Sequence, residues 1–378
     1  MKKYILIILA SIFIINAKAQ EKIGNVIEFD KLIHDFGDIL ESEKDLKCSF
    51  SFKNISKKPL VLYSVVASCG CTDVEWSKQP ILPGKKSVIS VNYTNEDGPY
   101  PFNKTLTLYI SGTSNPIILR IKGVAYEEQK PIEEMYPLYF GPFSMRTNIL
   151  ECGNISQGGS RSDEIMVANR SSKPIKLDFK IETPGLNLTV KPNPIPAKSS
   201  AQLVFTIKAQ KELWGKNYYY AKPIVDGKEY AVSGKAQDLK TSPYIGDLDK
   251  NPDKIAVYAF TKENFDNITR EDKTKAAKPI FKTSTFSFGK TEKGKEVTAQ
   301  FDFKNTGESD FIVHKVDVDI PNAKISQITP TKKGEIGKLT VKFNTNDLPK
   351  GEGLVIITLT TNSPMRPIIN LFATGWIL

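Results

Sequence analysis

The fold is decided by a stretch that reads HDFGDI at residues 34–39, CSFSFKN at residues 48–54 and SCGCT at residues 68–72. In the second piece apolar residues alternate with polar ones, which is the pattern of a half-buried β-strand. Glycine in the first piece and asparagine at the end of the second are residues that favour turns. The third piece carries two cysteines one residue apart and occurs once in the chain.

The first two pieces recur twice downstream, which indicates a tandem repeat. A glycine near the first strand and an asparagine at the end of the second recur together, at Gly37 and Asn54, Gly153 and Asn169, and Gly289 and Asn305. Each copy is predicted to close on a strand that carries a glycine, at Gly123, Gly234 and Gly375. The third piece has no counterpart in the later copies.

Short strands with turn signals at about 8–12-residue spacing are typical of a two-sheet sandwich. We therefore predict an all-β protein of three tandem immunoglobulin-like β-sandwich domains. The predicted boundaries are residues 27–126 for domain 1, 127–137 for a linker, 138–236 for domain 2, 237–282 for a partly structured linker and 283–378 for domain 3. Because the second linker is long, part of it is expected to pack on domain 2 or domain 3.

The chain begins with the pattern of a cleaved signal peptide over residues 1–19. Lys2 and Lys3 precede a short apolar run, and Ala17-Lys-Ala19 fits a small-x-small cleavage site. No later run is long and apolar enough to span a bilayer as a helix. We expect an exported protein, periplasmic or envelope-associated, without a transmembrane segment after cleavage.

Composition argues against nucleic-acid binding. The net charge is +10, but lysine supplies most of the positive charge and is spread along the chain. Nucleic-acid readers usually concentrate arginine on one face, where it makes bidentate contacts. A solvated basic surface is the better interpretation.

Composition also argues against an enzyme. Hydrolytic catalysis brings a nucleophile, a base and an orienting group together. The chain has two histidines, which lie in different copies, and it lacks a nucleophile elbow, a zinc-protease motif and a glycine-rich phosphate loop. No catalytic residue and no cofactor are predicted.

Several motifs together resemble a bacterial family, domain of unknown function 1573. The resemblance rests on Phe36-Gly37-x-Ile39, Phe50-x-Phe52-x-Asn54, Pro59-Leu60, Ser68-Cys-Gly-Cys-Thr72, Ile81-x-Pro83-Gly84 and Leu119-x-Ile-x-Gly123. It covers residues 27–126 best, residues 284–378 less closely and residues 138–236 least. The family is frequent in exported Bacteroidota proteins and is similar to the immunoglobulin-like domains of the Hydin and ASH group. The resemblance implies a sandwich outside the cytoplasm and no reaction.

Repeat alignment separates the four cysteines. Cys48 falls on the same strand face as Phe50 and Phe52, and Cys152 stands where the other copies have phenylalanine, so both are interpreted as small core residues. Cys69 and Cys71 have no counterpart.

Three arrangements of the Cys69/Cys71 pair remain open. A direct bond between the two would close a very small ring, which we expect to be strained and reducible. Alternatively, one of them bonds Cys48 on a neighbouring strand. As a third arrangement, the two thiolates bind a soft ion such as Cu(I). In the simplest interpretation, Gly70 makes the turn and both sulfurs pack or bond locally.

Three functions are weighed on these observations. The first is an envelope scaffold or protein-binding module whose contact lies in Cys69, Gly70, Cys71, Thr72 and Trp76, with an unidentified envelope or periplasmic protein as partner. The second is a thiol redox or copper-handling module built on the cysteine pair. The third is carbohydrate binding through aromatic side chains such as Trp76, Trp214 and Tyr218 to Tyr220.

Overall fold

The structure is a computed structural model, and it describes residues 21–378 except 24–25, 97, 114–115, 129, 237–250 and 266–267. The predicted signal peptide, residues 1–19, lies outside the described residues. So does part of the second predicted linker. The described chain is built almost entirely of β-strands, and they pack as three sandwiches, each with its own apolar core. The predicted all-β class with immunoglobulin-like sandwiches is confirmed.

Domain 1 consists of two mainly antiparallel sheets packed face to face. Its strands are β1 (Glu21–Ile23), β2 (Ile27–Phe29), β3 (Ile33–Leu40), β4 (Asp45–Asn54), β5 (Leu62–Ala67), β6 (Thr72–Trp76), β7 (Lys86–Thr94), β8 (Pro101–Ile110) and β9 (Ile117–Tyr126). One sheet has the order β1-β2-β4-β7-β6 and the other the order β3-β9-β8-β5. Strands β5 and β6 are therefore the edges of different sheets on the same side of the sandwich.

Domain 2 follows a short helix, α1 (Ile132–Met135). Its strands are β10 (Leu138–Phe140), β11 (Phe143–Met145), β12 (Ile149–Ser156), β13 (Ser160–Asn169), β14 (Leu177–Ile181), β15 (Leu186–Lys191), β16 (Ser199–Lys208), β17 (Gly215–Val225), β18 (Lys228–Glu229), β19 (Val232–Gly234) and β20 (Ile255–Lys262). The sheets have the orders β15-β16-β13-β11-β10-β19 and β12-β20-β17-β14, and β18 pairs with β17.

Domain 3 follows a second short helix, α2 (Arg270–Lys275). Its strands are β21 (Pro279–Phe281), β22 (Thr285–Thr291), β23 (Glu296–Asn305), β24 (Val313–Val318), β25 (Lys324–Ile325), β26 (Ile336–Asn344), β27 (Gly351–Thr361) and β28 (Ile368–Ile377), with a 3-10 helix at Thr345–Asp347. The sheets have the orders β21-β23-β26-β25 and β22-β28-β27-β24. Strand β21 begins before residue 283, so the predicted start of this domain is too late.

The alternation seen in the sequence becomes alternation of burial. In β23, Val297, Ala299, Phe301 and Phe303 are buried, whereas the residues between them face outward to different degrees. A strand directs successive side chains to opposite faces, so one face enters the core. Burial of these faces supplies the main favourable free energy of each sandwich.

The repeated asparagine at the end of β4 is a buried turn-former. Asn54 Nδ2 donates to the carbonyl oxygens of Lys58 and Ile81 at 2.8 Å each, and Oδ1 accepts from Ser56 N at 2.9 Å. Asn169 and Asn305 make the same set of bonds in domains 2 and 3. Each asparagine thereby ties the end of a central strand to the turn and to the chain that crosses beneath it.

The prediction that domain 2 closes at Gly234 is wrong. Strand β19 pairs with β10 in the other sheet, whereas the closing strand is β20, inside the segment predicted as a linker. Strand β20 pairs in parallel with β12, as β9 does with β3 and β28 with β22. Domain 2 therefore extends to Lys262, and part of the predicted linker does pack on it.

Domains 1 and 2 meet at a charged contact on β3. The carboxylate of Asp38 accepts from the Tyr136 hydroxyl and pairs with the Arg146 guanidinium. Lys122 Nζ donates to Asp163 Oδ1 at 2.9 Å. The register of β3 against β9 shifts between Asp35 and Asp38, and such a bulge re-aims side chains. The bulge lies where the carboxylate of Asp38 reaches domain 2.

Domains 2 and 3 meet where the β16–β17 connection reaches strand β24. The Trp214 ring stacks on the His314 imidazole with centroids 4.0 Å apart. Lys216 N donates to Asp317 Oδ2 at 2.8 Å, and Lys315 Nζ donates to Lys216 O at 2.5 Å. Edge strand β24 is thus covered by the preceding domain.

Candidate functional site

The Cys-Gly-Cys piece lies in the connection that carries the chain from one sheet of domain 1 to the other. It leaves β5, crosses the open side of the sandwich and enters β6. Ser68 N donates to Thr105 O at 2.9 Å, which holds the turn to β8, and Thr94 N donates to Cys71 O at 2.8 Å, which holds it to β7. The turn is therefore anchored to both sheets.

Cys69 and Cys71 are joined by a disulfide bond with an S–S distance of 1.97 Å. Both residues are half-buried, and Cys71 packs against the domain 1 core. The Thr72 hydroxyl lies 3.3 Å from Cys69 Sγ and must be the donor, because a disulfide sulfur carries no hydrogen. The bond closes a small ring across a turn that already has backbone partners on each side.

Gly70 forms the tip of this turn and is exposed. Its φ is outside the positive range that favours glycine, and a Cβ built there would meet no atom within 4 Å. Gly70 thus lies at the turn, but the backbone there does not require glycine. Gly70 adds no side chain beside the disulfide, and both cysteines keep part of their surface exposed.

Trp76 serves the domain itself. Its Nε1 donates to Leu62 O at 3.1 Å, so the indole on β6 bonds the edge strand β5 of the opposite sheet. Lys78 Nζ lies 3.0 Å from the centroid of the indole ring. Trp76 therefore helps to close the open side of the sandwich and does not stand out from it. Thr72, with 7% of its surface exposed, is likewise largely inside.

The alternative bond to Cys48 does not form. Cys48 is a free thiol on β4, and β7 lies between β4 and β6. Two interstrand spacings are about 10 Å, beyond the Cα separation that a disulfide spans. Cys48 packs against the core, and burial raises the pKa of its thiol to about 11. Cys152 is buried in the core of domain 2, where its Sγ donates to Arg161 O at 3.4 Å.

The exposed side chains around the turn were not predicted. On β6, Asp73 and Glu75 face solvent and make an acidic edge. On β5, Tyr63 is 64% exposed and Val66 52% exposed. The run from Leu60 to Val66 is apolar almost throughout, so its pattern does not show which side chains point outward. In β6, by contrast, the sequence does show alternating polar and apolar residues, because Asp73 and Glu75 flank Val74.

The corresponding connections of the other domains use different chemistry. Between β14 and β15 the turn contains Gly185 with φ +94°, and between β24 and β25 it contains Asn322 with φ 59°. These residues tolerate the left-handed conformation that such turns need. Domain 1 replaces this local turn with a covalent clamp.

The other aromatic candidates are engaged within the chain. Trp214 is stacked on His314 at the contact of domains 2 and 3. Tyr219 is buried in the core of domain 2. Tyr218 and Tyr220 lie on the opposite face of β17 with ring centroids 6.4 Å apart, and Tyr258 lies 5.8 Å from Tyr218. Domain 1 contributes none of these tyrosines.

A second polar cluster occupies the contact of domains 1 and 2. Asp35 N donates to Glu164 Oε1 at 2.8 Å, and Lys122 Nζ lies 4.0 Å from Asp35 Oδ2. Burial raises the pKa of both Asp35 and Glu164. His34, on the same strand, has Nδ1 2.6 Å from Lys31 Nζ. Burial and the Lys31 charge lower the pKa of His34 to about 4. The bond from Asp35 N to Glu164 crosses between the domains, whereas the Lys31–His34 and Lys122–Asp35 contacts lie within domain 1.

The described residues also bear on metal ions and membranes. No group of three or more histidine, cysteine, aspartate or glutamate residues is arranged to hold a metal ion within the described part of the chain. In that same part, helices are too short or too polar to cross a bilayer. Cys69 and Cys71 would become thiolate ligands only after reduction of their bond.

The chain is thus an all-β protein of immunoglobulin-like sandwiches, with a disulfide-clamped turn in the first of them. It belongs to the family described as protein of unknown function DUF1573, whose model matches residues 27–125 and 280–374. These are domains 1 and 3. Domain 2, the copy with the displaced closing strand, lies outside both matched segments.

Solved structures give remote similarities. A protein of unknown function from Porphyromonas gingivalis is 12% identical, with 62% of this chain and 100% of that chain covered and a TM-score of 0.47. A three-domain titin structure is 12% identical over 94% of this chain and 99% of that chain, with a TM-score of 0.19. An ASH/PapD-like domain of a human protein is 13% identical over 30% and 91%, with a TM-score of 0.23. No curated protein matches the chain.

Proposed function

We propose that this chain is an exported, non-enzymatic protein that acts by binding another protein of the envelope or periplasm. Its contact surface is the clamped turn from Cys69 to Cys71 together with the neighbouring edge strand β6. One observation carries the proposal: the turn that joins the two edge strands of domain 1 is fixed covalently and exposes its tip, whereas the equivalent turns of domains 2 and 3 are ordinary. A pre-organised turn loses little conformational freedom when it binds.

The edge of β6 indicates the chemistry of the partner. An edge strand offers unpaired backbone groups to an added strand, and side chains on it select which strand is accepted. Asp73 and Glu75 are exposed there. We therefore expect a partner segment that carries lysine or arginine, and we expect binding to weaken as ionic strength rises.

The test is affinity capture with the mature protein from an envelope extract, quantified by mass spectrometry. The variants Cys69→Ser/Cys71→Ser and Asp73→Lys/Glu75→Lys are expected to lose the same partner that the wild type retains. The matched control is Asn187→Lys/Thr189→Lys, which places two lysines on exposed positions of β15, the equivalent edge strand of domain 2. Equal capture by all four proteins would overturn the proposal.

A second candidate function is thiol–disulfide exchange at the same turn. It is favoured by the disulfide between Cys69 and Cys71 beside the unshielded Gly70. A low-molecular-weight thiol would attack one sulfur, and a second would resolve the mixed disulfide, so that two thiols are oxidised as the pair is reduced. Titration of the pair against a glutathione redox buffer, read by alkylation and mass, tests this. Failure to reduce the folded protein under millimolar thiol would exclude it.

A further inference from the structure

The contact between domains 2 and 3 has two halves, and each half has an equivalent elsewhere in the chain. The first half, which we name the donor corner, is the start of β17 with the paired end of β20: Gly215, Lys216 and Phe260. The second half, the acceptor strand, is β24 with His314, Lys315 and Asp317. Lys216 and Asp317 are joined by a hydrogen bond, and β20 also lies against β27.

The donor corner recurs at the far end of domain 3. Lys216 pairs with Phe260 between β17 and β20, and Glu352 pairs with Trp376 between β27 and β28. Both strands begin with a glycine at positive φ, Gly215 at +65° and Gly351 at +97°. A Cβ on Gly215 would collide with the Asp317 carboxylate, whereas a Cβ on Gly351 would meet no atom within 4 Å. The same corner is therefore covered in domain 2 and open in domain 3.

The acceptor strand recurs in domain 1 as β5. Strand β24 pairs with β27 through a register shift between Val313 and Lys315, and β5 pairs with β8 through the same shift between Leu62 and Ser64. This register makes Tyr63, Ser64 and Val66 the equivalents of His314, Lys315 and Asp317. Among the described residues no other domain covers this edge, since Tyr63 is 64% exposed and Val66 52% exposed.

The two open halves match each other in chemistry. In the covered contact the corner and the strand exchange polar bonds, through Lys216 on one side and Lys315 and Asp317 on the other. In the open halves these polar partners change: Glu352 takes the place of Lys216 on the corner, and Ser64 and Val66 take the places of Lys315 and Asp317 on the strand. The remaining exposed side chains are largely apolar. Trp376 is 47% exposed, and Leu354, diagonal to it on the same sheet face, is 51% exposed. A corner seated on β5 would bring these two side chains beside exposed Tyr63 and Val66.

We propose that two copies of this chain associate head to tail, with the donor corner of domain 3 in one copy seated on strand β5 of domain 1 in the other. This contact would use the same two elements as the one that joins domains 2 and 3 within a chain, with apolar side chains in place of its polar bonds. Exposed aromatic and aliphatic side chains on both halves are removed from water, which favours association. The interface is heterologous, so it extends into a chain of molecules or closes into a ring.

This inference does not rest on the proposed function. The clamped turn and β6 take no part in it, and the Cys69→Ser/Cys71→Ser variant is expected to associate as the wild type does. A contact limited to one strand edge and one sheet corner is small by the standards of stable complexes. We therefore expect association at protein concentrations on the order of 10–100 μM, at the weak end of specific interfaces.

Sedimentation velocity over a concentration series of the mature protein tests the proposal. Wild-type protein is expected to form dimers and larger species. Val66→Glu disrupts the acceptor strand, and Trp376→Glu disrupts the donor corner. Each variant alone is therefore expected to associate at least tenfold more weakly than the wild type. An equimolar mixture of the two variants still contains one intact donor and one intact acceptor, and it is expected to form dimers and nothing larger.

The control is Ile336→Glu, at a position that is 75% exposed and outside both halves. It is expected to associate as the wild type does. Thermal unfolding of each variant shows whether it is folded. If Val66→Glu is not folded, Tyr63→Ser replaces it, and if Trp376→Glu is not folded, Leu354→Ser replaces it. A wild type that stays monomeric at 200 μM, or a mixture of variants that does not dimerise, overturns the proposal.

Discussion

At the scale of single residues, the cysteine pair shows how far the sequence could lead. The absence of Cys69 and Cys71 from the other two copies marked this turn as different. Which of three bonding arrangements forms could not be read from spacing, because β7 separates β6 from the strand of Cys48. The exclusion of Cys48 is a property of strand order in space.

Replacement of the pair by serine, Cys69→Ser/Cys71→Ser, is expected to lower the free energy of unfolding of domain 1 by about 1–2 kcal/mol. The ring is very short, and the chain-entropy model gives a correspondingly small stabilisation. Urea unfolding with and without reductant measures the effect. Reductant should shift the curve of the wild type toward that of the variant and leave the variant unchanged. A shift in the variant would mean that the reductant acts elsewhere.

His34 gives a pH prediction. Its folded-state pKa of about 4 lies below the unfolded value of 6.5, so folding favours the neutral imidazole. The stabilisation is present above pH 6.5 and is lost as pH falls toward 4. Lys31 Nζ donates to Nδ1, and protonation of that nitrogen removes the acceptor. Between pH 7 and pH 4 the wild type should lose about 1–2 kcal/mol relative to His34→Gln, after allowance for partial exposure.

Chemical unfolding at several pH values checks this prediction for His34. The comparison with His34→Gln cancels the titration of groups that both proteins share. A wild type and variant whose unfolding free energies run parallel from pH 7 to pH 4 would contradict it.

At the scale of strands and turns, the repeat pattern correctly located the asparagine turn. It did not show which groups the asparagine side chain binds. The sequence placed Asn54, Asn169 and Asn305 at strand ends. The structure adds that each side chain donates to one carbonyl in its own turn and to a second one 26 or 27 residues further along the chain. Those partners depend on which chain segment crosses beneath the turn, and strand periodicity does not report that.

Loss of this side chain is therefore expected to be costly. Asn305→Ala removes the donor to the Ser309 carbonyl, one of the two donors to the Thr331 carbonyl and the acceptor of Gly307 N, and Asn305 itself is fully buried. We expect a loss of about 2–4 kcal/mol in the stability of domain 3, since unpaired buried polar groups bear their full desolvation cost. Denaturant unfolding measures it, with Thr298→Ala, an exposed position on the same strand, as the control. A loss below 1 kcal/mol would contradict this account.

The wrong prediction of the closing strand of domain 2 has a physical explanation. In domain 3, Gly375 is needed because any Cβ there would strike the ring of Phe288. In domain 2 the residue equivalent to Phe288 is Cys152, and the smaller side chain leaves room for Ala259 on the closing strand. The glycine that marks the strand elsewhere is therefore absent. Gly234 is a glycine for another reason, because it lies close to the backbone of Pro137.

At the scale of the whole molecule, the contacts between domains could not be predicted. Asp38 and Arg146 are far apart in sequence and fall in different copies, and the local pattern around each shows no sign of the other. Their pairing depends on how the short connection around α1 directs domain 2 against β3. The sequence repeats define the units, but they do not define how the units are arranged in space.

Removal of the Asp38 carboxylate is expected to loosen domain 1 from domain 2. Asp38→Ala leaves the partly buried Arg146 guanidinium without its partner, and breaking a buried pair costs about 3–5 kcal/mol. Part of that free energy would be lost from the association of domain 1 with domain 2. We expect a larger radius of gyration in solution scattering and faster tryptic cleavage after Lys130. Asp45→Ala, an exposed carboxylate of the same domain, should change neither.

The parallel pairing of an early strand with the last strand in every domain has a mechanical consequence. When a chain of these domains is stretched from its ends, β3 and β9 are pulled in opposite directions along their own length, as are β12 and β20, and β22 and β28. The hydrogen bonds of each pair then bear the load together, and they cannot be opened one after another from an end. Resistance to force is set by the rate of unfolding and not by equilibrium stability. Each sandwich would therefore resist unfolding when it is stretched along the chain.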